Sequence, residues 1–210
     1  MVFELSDEFI FPHPSLADED GLLAVGGDLS EDRLLLAYEH GIFPWYSEGE
    51  PILWYSPHQR FVLYPSQVKI SHSMRQLMRS AKYEIRFNTA FEEVIRACSE
   101  VKRKGQQGTW ITDDMINAYI ALHQKGIAQS VEVWYNEALV GGLYGVVVGK
   151  VFCGESMFST LSNASKLALI ALCQTSLFSL IDCQLHTAHL ESMGAVYISR
   201  EAFMQFIQTE

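Results

Sequence analysis

The chain has 210 residues, of which 49% are hydrophobic and 19% charged, and it carries a net charge of −10. That length suits one large domain or a small one joined to a larger, and no apolar run approaches the ~20 residues that span a bilayer. The acidic N-terminus "MVFELSDEFIFPHP" lacks the basic start and apolar stretch of a secretion signal, so a cytoplasmic protein is expected. Its four scattered cysteines, with no C-x-x-C pair, exclude a zinc knuckle or a redox dithiol.

The first fifty residues are rich in turns. Ser30 suits the N-cap of a helix over about 31–40, with Glu31 and Asp32 in its first turn and Gly41 as its stop. Leu34, Leu35, Tyr38 and Ile42 form its inner face. "IFPWYSEGEPILWYSPHQRFVLYP" mixes short strand-like runs with four prolines and reads as a small irregular module over residues 1–65. From residue 66 the pattern is more regular. "SHSMRQLMRSAKY" is a helix capped by Ser71 or Ser73, and "YEIRFN" a strand. Thr89 and Glu92 form a capping box before the next helix. "KRKGQQG" is a loop, and Thr112 caps a third helix that Gly126 ends. "QSVEVWY" and "LVGGLYGVVVGKVFCGESMFS" supply three strands. A helix at about 163–178, with Asn163 as its cap, leads to the strand "LIDCQL", then a helix, the strand "AVYISR" and a final helix. The class is α+β: helices first, an antiparallel meander, then a β-α-β unit.

Charge is unevenly spread. Residues 1–50 sum to −11 with Arg33 as their one base, residues 60–104 to +6, and residues 105–210 to −5. A basic belt in an acidic protein is either a pair of solvated helices or the footprint of a polyanion. His72, Arg75 and Arg79 fall on one helix face, a stripe able to grip phosphates. Phe43, Trp45, Tyr46, Trp54 and Tyr55 cluster, and Trp110 stands apart in "GTWI". Such rings either build a core or stack unpaired bases.

Glu155 lies in the most hydrophobic stretch of the chain, "VFCGESMFS". A buried carboxylate is costly unless paired or protonated, so Glu155 either meets water at an edge or is held for a purpose. Asp182 and Gln184 in "LIDCQ" are two apart on a strand and are expected to face one side. Either they end the strand and bond backbone groups, or they act together. "GESMF" begins like a nucleophile elbow around Ser156 but has Phe158 where the closing glycine belongs. No phosphate loop or dinucleotide fingerprint is present. The seven histidines show no metal-ligand spacing, although His186 and His189 are compatible with one helix face, so no metal is expected.

Taken in order, "GLLAVGGDLSEDRLLLAYEHGIFPWY", "PILWYSPHQRFVL", "GTWI", "SVEVW", "LVGGLYGVVVGKVFCGESMFS", "NASKLAL" and "LIDCQ" cover nearly the whole chain. Together they resemble the leucyl/phenylalanyl-tRNA–protein transferases of bacteria. The resemblance implies an enzyme that moves Leu or Phe from Leu-tRNA or Phe-tRNA to the N-terminal Arg or Lys of a protein, marking it for N-degron degradation. It implies a small N-terminal domain (1–65) and a larger acetyltransferase-like, GNAT-related domain (66–210). The pyrophosphate loop of coenzyme A-dependent relatives of that fold is absent, which suits a tRNA donor. By the resemblance Asp182, Gln184 and Glu155 are catalytic. Gln184 accepts a bond from the attacking amine, Asp182 orients Gln184, and Glu155 bonds the donor's amino group or fixes the geometry. Leu143, Phe152, Met157 and Trp45 form the donor's pocket, and His72, Arg75, Arg79 and Trp110 hold tRNA. The acidic surface is expected to receive the cationic acceptor N-terminus. No cofactor, no membrane and a monomer are expected. A coenzyme A-dependent acyltransferase and a non-catalytic RNA-binding module are the competing classes.

Overall fold

The computed structural model describes residues 2–101 and 110–208. Lys102, Arg103, Lys104 and the rest of the expected "KRKGQQG" loop lie outside the described residues. Among those described, no helix is long and apolar enough to cross a membrane.

The N-terminal part holds β1 (Phe3–Leu5), β2 (Leu22–Gly26), α1 (Glu31–Glu39), β3 (Phe43–Pro44) and β4 (Leu53–Tyr55). Its four strands form a sheet in the order β1-β2-β4-β3. Ser30 occupies the N-cap of α1 without a side-chain cap bond. Leu34, Tyr38 and Ile42 are buried, and Leu35 partly so. Arg33, the one base of this stretch, is fully buried and donates to Ser6 O and Glu8 O, which ties the N-terminal strand down.

A larger sheet has the order β11-β5-β10-β9-β8-β7-β6. Its members are β5 (Gln59–Leu63), β6 (Glu84–Phe87), β7 (Ala128–Tyr135), β8 (Ala138–Val148), β9 (Val151–Ser159), β10 (Leu180–Gln184) and β11 (Val196–Ser199). Strand β5, which the sequence groups with the small module, is hydrogen-bonded inside this sheet between β10 and β11. β6 to β9 form an antiparallel meander. β10 runs parallel to β9, reached through α5 (Ala164–Gln174), which is shorter than expected. The other helices are α2 (His72–Arg79), α3 (Phe91–Ser99), α4 (Asp113–Gln124), α6 (Ala188–Ser192) and α7 (Arg200–Ile207).

Strand alternation divides the core in two. Leu143, Phe152, Ile181 and Phe61 pack with α5 on one face. Tyr144, Cys153, Leu180 and Val62 pack with α3, α4, α7 and the N-terminal part on the other. Ser71 caps α2 and Thr112 caps α4 through their side chains. The capping box at Thr89 does not form. Ala90 is the N-cap of α3, and the Thr89 hydroxyl instead donates to the buried carboxylate of Glu132, 3.0 Å away. A buried carboxylate needs donors more than an exposed helix end does. Asn163 sits at the N-cap of α5 in a left-handed conformation (φ 71°) with no cap bond.

Gly145 fixes the closest strand approach. A Cβ there would lie 2.3 Å from Cys153 O and 2.6 Å from a Phe152 ring carbon. Overpacking against backbone has no cheap relief. Gly145→Ala is therefore expected to cost about 2–3 kcal/mol, a fall in Tm of roughly 5–10 °C, read by thermal unfolding.

Candidate active site

Parallel strands β9 and β10 pair only at Leu180–Val151, Ile181–Phe152 and Asp182–Cys153. Beyond this point both strands bulge. On β9, Gly154 faces Gly145 and Ser156 faces Tyr144, so Glu155 is the extra, unpaired residue. On β10, Asp182 faces Val62 and Gln184 faces Phe61, so Cys183 is the extra one. A bulge bends its strand and re-aims side chains. Here the bulges adjoin the point where pairing between the two strands stops, and a cavity of about 410 Å³ opens beside them.

The cavity is lined by Glu155, Asp182, Gln184, Leu143, Phe152, Met157, Trp45 and Trp110, together with Phe43, Leu169, Leu172 and Ile181. The expected catalytic and donor-pocket residues thus come together. Trp110, expected on the tRNA side, joins them. His72, Arg75 and Arg79 do not line the cavity; they are exposed on α2. Arg60, counted above in the basic belt, is 1% exposed and contributes nothing to a surface. Gly154, Glu155 and Ser156 lie within β9 rather than on a strand-to-helix turn, so no nucleophile elbow forms. His186 precedes α6 and only His189 lies on it, so the two do not share a helix face.

Glu155 is buried and accepts three hydrogen bonds. Tyr38 OH (2.7 Å) and Gln184 Nε2 (2.8 Å) donate to Oε1, and Tyr119 OH (3.2 Å) donates to Oε2. The two phenol oxygens also lie within hydrogen-bond reach of each other; with one proton apiece, they bond each other only when one of them gives up its bond to Glu155. Burial pushes the Glu155 carboxyl up to about 7, against the three donors, which pull it down; the Asp182 charge adds to the rise. Burial beside that carboxylate likewise holds both phenols well above their ordinary range, so they stay protonated as donors. Because a carboxylate accepts hydrogen bonds, the Gln184 amide turns its NH₂ to Glu155. Its carbonyl oxygen is left as the acceptor.

Asp182 is fully buried and does not share a strand face with Gln184, as alternation would predict. The bulge and a left-handed Gln184 (φ 58°) break the alternation. Asp182 instead accepts the Gln184 backbone N–H at 2.9 Å and pairs with the Arg60 guanidinium. Arg60 also donates to Gly41 O at 2.7 Å and lies between the rings of Phe43 and Phe203 (4.9 and 4.3 Å). A Cβ on Gly41 (φ 68°) would meet Met204 Sδ at 2.7 Å, so glycine permits α7 to close over this pair. Sequence reasoning missed Arg60, Tyr38 and Tyr119 as site residues. A signal existed for Arg60: in "QRFVL" it shares a strand face with Val62 and so requires a carboxylate. His189 also lines the cavity; burial and the Lys166 charge lower its pKa, which favours a neutral ring.

A buried ion pair is most costly when half of it is removed. Arg60→Met is expected to destabilise by about 3–5 kcal/mol. The double variant Arg60→Met/Asp182→Leu should regain more than half of that loss, since it strands no charge. Urea unfolding of the three proteins measures both.

The comparisons with known proteins bear on the whole chain. The description "Leucyl/phenylalanyl-tRNA protein transferase" matches residues 62–208, and that of the same family's N-terminal domain matches residues 27–58. A leucyl/phenylalanyl-tRNA–protein transferase of Flavobacterium psychrophilum is 54% identical over 207 residues, covering 97% of this chain and 98% of its own. One from Flavobacterium johnsoniae is 51% identical over 212 residues and covers 100% of both. Among solved structures, FemX superposes with a TM-score of 0.46 at 10% identity, over 85% of this chain and 71% of its own. The chain belongs to the leucyl/phenylalanyl-tRNA protein transferase family.

Proposed function

We propose that this transferase moves Leu or Phe from Leu-tRNA or Phe-tRNA to the N-terminal Arg or Lys of acceptor proteins, which directs them into N-degron degradation. Aminoacyl transfer from tRNA to protein follows from the family. The observation that carries the finer reading is the cavity itself, an apolar pocket headed by the buried Glu155 and the half-buried Gln184 bonded to it. Its volume falls within the ~300–1,000 Å³ of small-molecule sites. Leu143, Phe152 and Met157 offer an apolar wall to a Leu or Phe side chain, and the flexible thioether of Met157 adapts to either shape.

In the reaction the acceptor's α-amine attacks the ester carbonyl. A C–N bond forms, the C–O bond to the tRNA ribose breaks, and the amine's proton ends on the ribose oxygen. Holding amine and ester together can supply ~7–11 kcal/mol of the barrier. Gln184 Oε1 accepts a bond from the attacking amine. The amine titrates near ~8, close to the value of about 7 at Glu155, so a proton passes between them at little cost. Ester aminolysis is downhill, and this reading requires no cofactor. His72, Arg75 and Arg79, exposed on α2, would hold the tRNA backbone.

Incubation with labelled Leu-tRNA and two peptides that differ only in a first Arg or Met tests the reading. Label on the Arg peptide alone, abolished by ribonuclease, is the expected outcome; transfer to both, or to neither with tRNA bound, contradicts it.

Glu155 makes a second expectation. Its carboxylate form accepts the three donors, so kcat/KM should rise with pH through about 7. Glu155→Gln should remove the step near 7, leave only the rise near ~8 that belongs to the acceptor amine, and lower the rate by ~10²–10⁴-fold. Stability runs the other way. The folded chain holds this proton more tightly than the unfolded one. The contribution is therefore full below about 4.5 and is lost as pH rises through about 7. That loss, on the order of 3 kcal/mol, should be missing from unfolding of Glu155→Gln over the same pH range.

A further inference from the structure

The seven-stranded sheet ends at β11, whose outer side pairs with no strand among the described residues. The register links this edge to the site. Gln184 faces Phe61 across β10 and β5, and Phe61 faces Tyr197 across β5 and β11. Tyr197 therefore stands two strand spacings from Gln184, about 10 Å. One exposed side chain, His186, connects the cavity to Tyr197. His186 lines the cavity, packs edge-on against Phe61 with centroids 5.0 Å apart, and lies nearly parallel to the Tyr197 ring (14°, 6.1 Å).

The direction of the backbone groups on β11 follows from one bond. Arg200 N–H donates to His58 O at 2.9 Å. Antiparallel alternation then turns Ile198 and Val196 toward β5 and aims the N–H and C=O groups of Tyr197 and Ser199 outward. Val196 and Tyr197 are 45% and 52% exposed. The strand "VYIS" carries neither the lysine nor the proline that commonly blocks an edge. Glu191, bonded to His186, and Glu201 are exposed beside it, a setting that repels phosphate and suits a cationic partner.

We propose that the open edge of β11 receives the acceptor polypeptide downstream of its N-terminal residue, as an added strand paired through Tyr197 and Ser199. The proposal rests on the function proposed above. Main-chain pairing carries affinity without reading side chains, which suits an enzyme whose acceptors share only their first residue. A four-residue edge is short for a stable dimer interface but sufficient for transient docking. The added strand would lie a third spacing out, about 14 Å from Gln184, which an extended chain covers in about four residues. Residues 5–8 of the acceptor would then lie on the edge, and a dipeptide would never reach it.

The test compares an Arg-initiated dipeptide with an Arg-initiated peptide of about twelve residues, long enough by that reach. The long acceptor should have a KM at least tenfold lower. Tyr197→Pro removes an outward N–H without taking a donor from the β5 ladder, and it should collapse that ratio toward one. Single backbone N-methylation of acceptor residues 5–8, with the wild-type enzyme, should raise KM at alternate positions. If the proline variant misfolds and loses dipeptide transfer as well, the N-methyl series decides. An unchanged ratio with no sensitive position overturns the proposal, as does a wild-type dimer in sedimentation that Tyr197→Pro dissolves. Wild-type transfer to neither acceptor overturns the proposed function and this docking edge together.

Discussion

The site depends on one constraint: two adjacent parallel strands stop pairing. Parallel strands normally continue side by side until both end. Here β9 and β10 share three residue pairs and then bulge. The bulge at Glu155 adjoins a second approach limit, because a Cβ on Gly145 would lie 2.3 Å from the Cys153 carbonyl oxygen. The sheet thus supplies rigid walls on either side of a break, and the break is the cavity. A site built on strand ends rather than on loops holds its geometry without help from a ligand.

Charge at the break is handled in two different ways. Asp182 is paired with an equally buried Arg60, whose third nitrogen bonds Gly41 O and whose planar guanidinium lies over the rings of two phenylalanines. It then serves as a fixed acceptor for the Gln184 backbone. Among the described residues Glu155 has no counter-ion and only neutral donors. A carboxylate held by neutral donors is less strongly favoured as an anion than one held by a guanidinium. Burial, working against those donors, pushes the Glu155 carboxyl up to about 7.

What could be read in the sequence was local. The caps at Ser71 and Thr112, the alternating strands and the oddity of a carboxylate in "VFCGESMFS" all rest on neighbours within a few residues. The tyrosines and the arginine were missed because their partners are far along the chain: Tyr38 meets Glu155 across 117 positions and Arg60 meets Asp182 across 122. Local rules also failed where a buried group had a stronger claim. Thr89 left its helix for Glu132, and the Asp182–Gln184 alternation yielded to a bulge that no periodicity announces.

Those same long-range contacts explain why the small N-terminal part helps to build the candidate site. Tyr38 comes from α1, Phe43 and Trp45 from the segment that follows it, and the Gly41 carbonyl anchors Arg60. The large sheet contributes Glu155 and Gln184, but the phenol that helps set the protonation of Glu155 and one wall of the pocket come from the other part. With β5 lodged between β10 and β11, the chain returns from the small sheet directly into the large one. Any displacement of the N-terminal part would therefore move Arg60, and through Asp182 the backbone of Gln184. The two parts share one cavity because the break in the sheet is closed from outside it.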